Sequence, residues 1–158
     1  MKRKGSILSA AFWILTPLVL GGLTALLCRD GMAQFHLLNK PPFSPPAWLF
    51  GPVWTVLYLM MGLASWRIRC SEVARDEKSA ALEIYWLQLL LNLIWPLIFF
   101  RLKYYLAAML WLGALWIAAE ICLVRFYRLD HRTALLLLPY QLWLSLALYL
   151  STGIFVLN

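Results

Sequence analysis

Long apolar runs separated by short charged clusters form the dominant pattern along this chain. The runs cover residues 6–27, 47–66, 80–100, 104–124 and 133–157. Each is close to the ~20 residues that a helix needs to cross a hydrocarbon layer, and none alternates as the strands of a membrane barrel do. The pattern therefore predicts an all-α membrane protein, a bundle of five transmembrane helices forming a single domain over residues 1–158.

The segments between the runs are short, which predicts antiparallel neighbours. Residues 101–103 leave almost no chain between the third and fourth runs, so those two helices must pack as a hairpin. The longest connection, residues 28–46, is stiffened by prolines that favour extended and turn backbone. These prolines are Pro41, Pro42, Pro45 and Pro46.

Composition supports a membrane protein and excludes two other classes. The chain has 158 residues, of which 63% are hydrophobic and 13% are charged. Soluble domains hold roughly 45–50% apolar and about 25% charged residues, so a soluble globular protein is excluded. Disordered chains need the opposite balance and are excluded as well. Aromatic residues make up 15% of the chain and include nine tryptophans.

The placement of basic residues predicts an orientation. With five spans, ten lysines and arginines share the side of the N-terminus: Lys2, Arg3, Lys4, Arg67, Arg69, Arg75, Lys78, Arg125, Arg128 and Arg132. The other side holds four: Arg29, Lys40, Arg101 and Lys103. The positive-inside rule then puts the N-terminus in the cytoplasm and the C-terminus outside. The net charge of +7 is thus explained by topology and membrane lipid, and no nucleic-acid partner is expected.

Polar residues inside the third run are candidates for function because they are costly in a membrane. Gln88, Asn92 and Trp95 share one helix face at spacings of four and three. Pro96 removes a backbone donor, so we expect the carbonyl of Asn92 to be freed and the helix to bend. Two interpretations stay open for the amides: hydrogen bonds between helices, or contact with a ligand.

Aromatic residues deep in the second and fifth runs are further candidates. Trp54 and Tyr58 lie one turn apart, and Tyr140, Trp143 and Ala147 follow at spacings of three and four. An interfacial belt explains tryptophans near span ends well but fits Trp54 and Trp143 less well. A deep indole donor needs a hydrogen-bond partner or an aromatic ligand, and the small Ala147 would leave room for one.

Metal and redox chemistry is not indicated. His36 and His131 fall in loops on opposite sides, and Cys28, Cys70 and Cys122 form no CxxC pair. No hydrolase triad or phosphate-binding loop can be assembled from the sequence. We expect no metal and no separate cofactor.

These blocks of residues resemble the tryptophan-rich sensory protein/translocator protein family, also called the peripheral benzodiazepine receptor family. The resemblance covers nearly the whole chain in the right order. It is carried by Pro17, Gly21-Gly22, Lys40-Pro41, Pro45-Pro46, Trp48, Pro52, Trp54, Leu57-Tyr58, Met61-Gly62, Gln88-Leu89, Leu91-Asn92, Trp95-Pro96, Phe99-Phe100, Pro139-Tyr140, Trp143, Ala147, Leu150 and Leu157-Asn158.

The resemblance implies a five-helix bundle, commonly a homodimer, with a pocket near the long first loop. It implies a membrane receptor or sensor for porphyrins, haem included, and similar flat hydrophobic ligands. Two alternatives are a light-dependent enzyme that degrades protoporphyrin, with Trp54 and Trp143 catalytic, and a tetrapyrrole transporter, which the lack of inverted repeats disfavours. The candidate ligand-binding residues are Trp54, Tyr58, Gln88, Asn92, Trp95, Tyr140, Trp143, Ala147, Phe35 and Phe43.

The chain departs from the family pattern in three places. Phe35 stands where many members have Tyr, and Phe43 stands where many have Trp, so any hydrogen bond or electron from those side chains is missing here. No basic residue follows Arg132, which removes the motif of a tyrosine followed by Lys or Arg that is associated with sterols. We therefore expect no sterol recognition of that type.

Overall fold

Six α-helices make up almost all of residues 7–158, the part of the chain that the computed structural model describes. A single 3₁₀ turn, Phe35–Leu37, lies between α1 and α2, and a π-helical turn, Leu97–Arg101, follows α3. The α-helices are α1 (Ile7–Ala33), α2 (Ala47–Cys70), α3 (Arg75–Pro96), α4 (Tyr105–Leu129), the short α5 (His131–Ala134) and α6 (Leu138–Leu157).

Five helical segments are long and apolar enough to cross a membrane: Ile7–Ala33, Ala47–Cys70, Arg75–Arg101, Tyr105–Leu129 and His131–Leu157. The predicted fold class is therefore confirmed. Two features of the predicted topology lie outside the described residues. They are the basic residues Lys2, Arg3 and Lys4, which contribute to the charge bias, and Ser6, where the first apolar run begins.

Several helices extend past the ends of their apolar runs. The first continues through Arg29 and Asp30, and α3 begins at Arg75 rather than at residue 80. Charged side chains can reach lipid head groups from a helix end that extends beyond the hydrocarbon. The apolar run therefore indicates the part of the helix inside the membrane, and not the full length of the helix. Asp76 and Glu77 lie in the first turn of α3, where acids complement the helix dipole.

Pro96 ends the α-helical hydrogen bonding of α3. The next residues form the π-helical turn, in which the backbone nitrogen of Leu102 donates to the carbonyl of Leu97 over 2.9 Å. A proline has no N–H for the carbonyl four residues earlier, so the expected irregularity takes the form of a wider turn. Phe99 and Phe100 lie within this turn, which sets the direction of their side chains.

Glycines bring α1 and α2 into close contact. A Cβ added to Gly62 would lie 2.6 Å from Ile14 Cα, and one added to Gly21 would overlap the ring of Tyr58. Both positions therefore require the absence of a side chain. Small residues of this kind let helix backbones approach where lipid offers no hydrophobic driving force.

The long connection between α1 and α2 is attached to the end of α6. The backbone nitrogen of Asn39 donates to Asn158 Oδ1 over 3.1 Å, and Asn158 Nδ2 donates back to the carbonyl of Asn39 over 2.9 Å. The ammonium of Lys40 donates to three carbonyls of the same connection, those of Phe35, His36 and Leu38, at 3.1, 3.2 and 3.0 Å. These bonds hold the connection over one end of the bundle.

Candidate functional site: an aromatic cavity between α1, α2 and the end of α3

A cavity of about 210 Å³ lies between α1, α2 and the end of α3. The first helix supplies mainly small or flexible residues, whereas the other two elements supply aromatic rings. The rings of Phe50, Trp54 and Tyr58 come from one face of α2 because they are spaced by four residues. The full lining is Leu18, Gly21, Gly22, Thr24, Ala25, Met32, Phe50, Gly51, Trp54, Thr55, Tyr58, Trp95, Pro96 and Phe100.

The aromatic wall is ordered by ring contacts. Trp54 stacks on Tyr58, with ring centroids 5.4 Å apart and planes inclined by 30°. Trp95 contacts Phe99 at 5.2 Å and Phe100 at 6.0 Å. Contacts of this size add about 0.5–1.5 kcal/mol each beyond simple burial, so the wall is largely preformed.

One polar atom of this wall is buried without a partner. The indole nitrogen of Trp95 is buried and makes no hydrogen bond among the described residues, although Trp95 lines the cavity. The hydroxyls of Thr24 and Thr55 also line the cavity, but they donate to carbonyls of their own helices. The cavity can therefore stack a flat molecule against aromatic rings, and its wall contains a buried donor, Trp95 Nε1, that the described residues do not use.

A buried chain of hydrogen bonds runs behind the cavity and joins α2, α3 and α6. Tyr58 Oη donates to Asn92 Oδ1 over 2.7 Å, and Asn92 Nδ2 donates to Tyr140 Oη over 3.1 Å. Tyr140 Oη in turn donates to Gln88 Oε1 over 2.7 Å. All four side chains are buried, and only Tyr58 also lines the cavity. Both amides thus form hydrogen bonds between helices, whereas the amide nitrogen of Gln88 is buried without a partner among the described residues.

Trp143 lies on the other side of α2. It lines an open apolar groove of about 590 Å³ between α2 and α6, bounded by Pro52, Val53, Val56, Leu57, Met60, Pro139, Leu142, Trp143 and Leu146. Its ring lies 5.7 Å from the ring of Phe50, which lines the cavity. Phe50 therefore stands between the cavity and the tryptophan of α6.

The remaining predicted residues occupy three different environments. Phe35 is buried under the long connection, with its ring 5.6 Å from that of Phe50 and 6.0 Å from that of Phe100. Ala147 is buried in the core, one turn after Trp143. Phe43 is 93% exposed at a backbone φ of 61°, and it lines neither the cavity nor the groove.

Sequence reasoning missed Phe50, Gly51 and Phe100 as lining residues. Phe50 carried a signal, since it precedes Trp54 by one helical turn and Trp54 precedes Tyr58 by another. Gly51 gave no such signal, because nothing in the sequence distinguishes a glycine that lines a cavity from other glycines. Phe100 is directed by the π-helical turn after Pro96, whose register the sequence does not indicate.

The cavity has few side chains that could take part in acid–base or metal chemistry. The lining holds no Asp, Glu, His, Lys, Arg or Cys. Across residues 7–158, no three His, Cys, Asp or Glu side chains are grouped closely enough to hold a metal ion. The lining is therefore uncharged and largely apolar.

The sequence model of a protein family described as the TspO/MBR family matches residues 13–157 of this chain. This range includes every residue that lines the cavity. The chain belongs to the TspO/MBR family. The resemblance drawn from the sequence blocks is thereby confirmed, together with its implication of a bundle of five membrane-spanning helices.

Relatives in this family come from bacteria, archaea and animals. The Tryptophan-rich protein TspO of Chlorobaculum tepidum is 38% identical over 124 residues, which cover 78% of each chain. The protein of the same name from Archaeoglobus fulgidus is 33% identical over 154 residues, covering 97% of this chain and 99% of its own. The Translocator protein of Homo sapiens is 36% identical over 117 residues, covering 73% of this chain and 69% of its own.

Proposed function

We propose that this protein is a membrane receptor that binds a porphyrin or a similar flat hydrophobic molecule in the aromatic cavity. The observation that carries the proposal is the indole nitrogen of Trp95, a buried donor without a partner in a wall of aromatic rings. A buried donor left unpaired costs about 1–3 kcal/mol, which an acceptor on a ligand would recover. Porphyrins combine a flat aromatic face with nitrogen and carboxylate acceptors.

The size of the cavity constrains how such a ligand sits. Drug-sized ligands occupy pockets of roughly 300–1,000 Å³, so 210 Å³ accepts only part of a macrocycle. Positions for a Cβ on Gly22 and Gly51 are open, with no atom within 4 Å. We propose that one edge of the macrocycle inserts between Trp54 and Trp95, while the rest extends past these glycines between α1 and α2.

Filling the space beside those glycines tests the proposal. Protoporphyrin is titrated into the purified protein, and quenching of tryptophan emission is followed to saturation. Gly22→Leu and Gly51→Leu each add a side chain at the cavity from a Cβ position that has no protein atom within 4 Å. We expect the dissociation constant to rise at least tenfold in each, since the ligand and the leucine compete for one volume.

The matched control is Gly113→Leu, a position on α4 that also has nothing within 4 Å and does not line the cavity. It should bind as the unmodified protein does, which separates binding in the cavity from adsorption of porphyrin to the apolar surface. Equal affinity in all four proteins would contradict the proposal. A second substitution, Trp95→Phe, should weaken binding by removing the donor while keeping an aromatic ring.

Light-dependent degradation of protoporphyrin is the second candidate function, and the position of Trp54 in the cavity favours it. We rank it below simple binding because Trp143, the other tryptophan that the family resemblance implies, faces the separate groove beyond Phe50. Illumination of the aerated complex distinguishes the two. A light-driven absorbance change that is lost in Trp54→Phe, with binding retained, would establish an enzyme.

We also propose that the end of the bundle where α2 ends and α3 begins faces the cytoplasm, on the strength of the basic bias. Cys70 is an exposed thiol at that end, whereas Cys28 and Cys122 are buried. A membrane-impermeant maleimide should label Cys70 in inside-out vesicles but not in right-side-out vesicles. A variant that combines Phe43→Cys with Cys70→Ser, and so moves the exposed thiol to a position that is 93% exposed in the opposite loop, should show the reverse. The opposite pair of results would invert the orientation.

A further inference from the structure

A groove of mixed charge lies where α3 begins and α4 ends, and it shares no lining residue with the aromatic cavity. It has a volume of about 460 Å³. Its walls carry two acids from the first turn of α3, Asp76 and Glu77, and two bases from the last turns of α4, Arg125 and Arg128. Its remaining lining residues are Ala80, Ala81 and Leu129.

The four charges do not neutralise one another by direct contact. Within residues 7–158 the ion pairs are Arg29–Asp30 and Arg67–Asp130, neither of which involves the groove. All four charged side chains are exposed. The small alanine side chains leave the groove open, and no salt bridge joins the acids of α3 to the bases of α4.

The groove lies where the apolar runs of α3 and α4 meet the charged ends of these helices. Ala80 opens the apolar run of α3, and Arg125 directly follows the apolar run of α4. The groove therefore spans the boundary between the hydrocarbon-covered part of the bundle and its charged end. A molecule seated there would place its tails against the apolar helices and its polar part among the four charges.

We propose that this groove binds the head group of phosphatidylethanolamine, with the phosphate at Arg125 and Arg128 and the primary ammonium at Asp76 and Glu77. Arginine guanidinium groups match phosphate oxygens geometrically, and carboxylates accept hydrogen bonds from an ammonium. Phosphatidylglycerol has no cation to satisfy the acids. Phosphatidylcholine carries a cation but no N–H to donate.

Competitive lipid retention tests the assignment. The full chain is equilibrated in detergent with equal amounts of the three lipids, matched in acyl chains, and retained lipid is counted by native mass spectrometry. We expect retention of phosphatidylethanolamine to exceed that of the other two by about three- to tenfold, the effect of one or two exposed charge contacts. Asp76→Asn with Glu77→Gln should abolish the advantage over phosphatidylglycerol, and Arg125→Gln with Arg128→Gln should weaken retention of all three lipids.

Three further arms make the test decisive. Arg69→Gln with Glu72→Gln removes one base and one acid at the same end without touching the groove, and should leave the preference unchanged. Ala80→Leu fills the groove without altering charge and should lower retention of phosphatidylethanolamine. Soluble phosphoethanolamine at the same concentration should not displace the lipid, because it lacks the acyl chains.

Several results would overturn the proposal. They are equal retention of the three lipids by the unmodified chain, an unchanged preference in the Asp76 and Glu77 variant, an equal loss in the control pair, and displacement by the soluble head group. Because all of the substituted charges are exposed and the aromatic cavity is untouched, neither folding nor porphyrin binding decides the outcome.

Discussion

Tyr58 donates a hydrogen bond of 2.7 Å to Asn92 Oδ1, and this bond ties the lining of the cavity to the interior of the bundle. The ring of Tyr58 faces the cavity and stacks on Trp54, whereas Asn92 is buried on α3. The same tyrosine therefore serves ligand contact through its face and helix packing through its hydroxyl. Changes deeper in the bundle can reach the cavity through this residue.

Tyr140→Phe should destabilise the protein more than Tyr58→Phe. Removal of the Tyr140 hydroxyl leaves both Gln88 Oε1 and Asn92 Nδ2 without partners, whereas Tyr58→Phe breaks one bond. Hydrogen bonds between membrane helices contribute about 0.6 kcal/mol on average and up to about 1.7, so we expect about 1–2 kcal/mol for Tyr140→Phe and about half that for Tyr58→Phe. Denaturation in mixed detergent measures both. An equal loss of stability in the two variants would mean that these hydrogen bonds do not act as one network.

Gly62→Ala should separate α1 from α2. Its Cβ would meet backbone atoms of Ile14 at 2.6 and 2.8 Å, and backbone cannot rotate away as a side chain can. Overpacking of this kind costs about 1–3 kcal/mol. Thermal unfolding in detergent should show the loss, and Gly113→Ala, which meets open space, should show none. A Gly62→Ala protein as stable as the parent would contradict the close approach of the two helices.

The five helices could be predicted from sequence because apolar length is a property of each segment by itself. The ends could not, since Arg29, Asp30 and the charged first turn of α3 belong to helices that continue beyond the hydrocarbon. The shared face of Gln88 and Asn92 followed from spacing. Their partner Tyr140 did not, because it depends on how α6 is rotated against α3.

The candidate site, too, could be predicted in part, where helical spacing alone brings residues together. Trp54 and Tyr58 lie together at the cavity, as one helical turn requires, and Trp95 joins them from α3. Trp143 faces a groove on the other side of α2, and Phe43 projects from the loop at a φ of 61°. Loop dihedrals and the rotation of one helix against another are set by tertiary packing, which neither periodicity nor family blocks specify.

Lys40→Met should loosen the connection that covers the end of the bundle. The ammonium donates to three carbonyls and lies 5.1 Å from the centre of the Phe35 ring, and methionine keeps the apolar stem but offers no donor. We expect amide hydrogen exchange of residues 35–38 to accelerate about tenfold, equivalent to about 1.4 kcal/mol. The control is Lys78→Met, which removes a lysine bound to the carbonyl of Ser71 at the other end. If the exchange rate were unchanged in Lys40→Met, the connection would be held in place by the bonds between Asn39 and Asn158 and not by the lysine.

Asp130 should make stability depend on acidic pH. Its side chain caps α5, accepting from the hydroxyl of Thr133 and from the backbone nitrogen of Arg132 at 3.0 Å, and it pairs with Arg67 at 3.6 Å. The hydrogen bond from Thr133 is the largest cause that lowers the pKa of Asp130 in the folded protein. The unfolded chain, with an ordinary aspartate pKa of about 3.9, then binds the proton more readily. Stability from this group is present above that value and is lost as the pH falls through the lowered folded pKa.

Two substitutions separate the cap of Asp130 from its charge. Asp130→Ala should cost about 1 kcal/mol at neutral pH through loss of the cap, whereas Asp130→Asn keeps an accepting oxygen and should cost less. Denaturation midpoints recorded between about pH 2 and 5 should fall less steeply in Asp130→Asn than in the parent, because the titrating carboxyl is gone. Thr133→Val should also flatten the profile, since it removes the main cause of the lowered pKa of Asp130. A parent and an Asp130→Asn variant with the same slope would show that the carboxyl does not link this turn to pH.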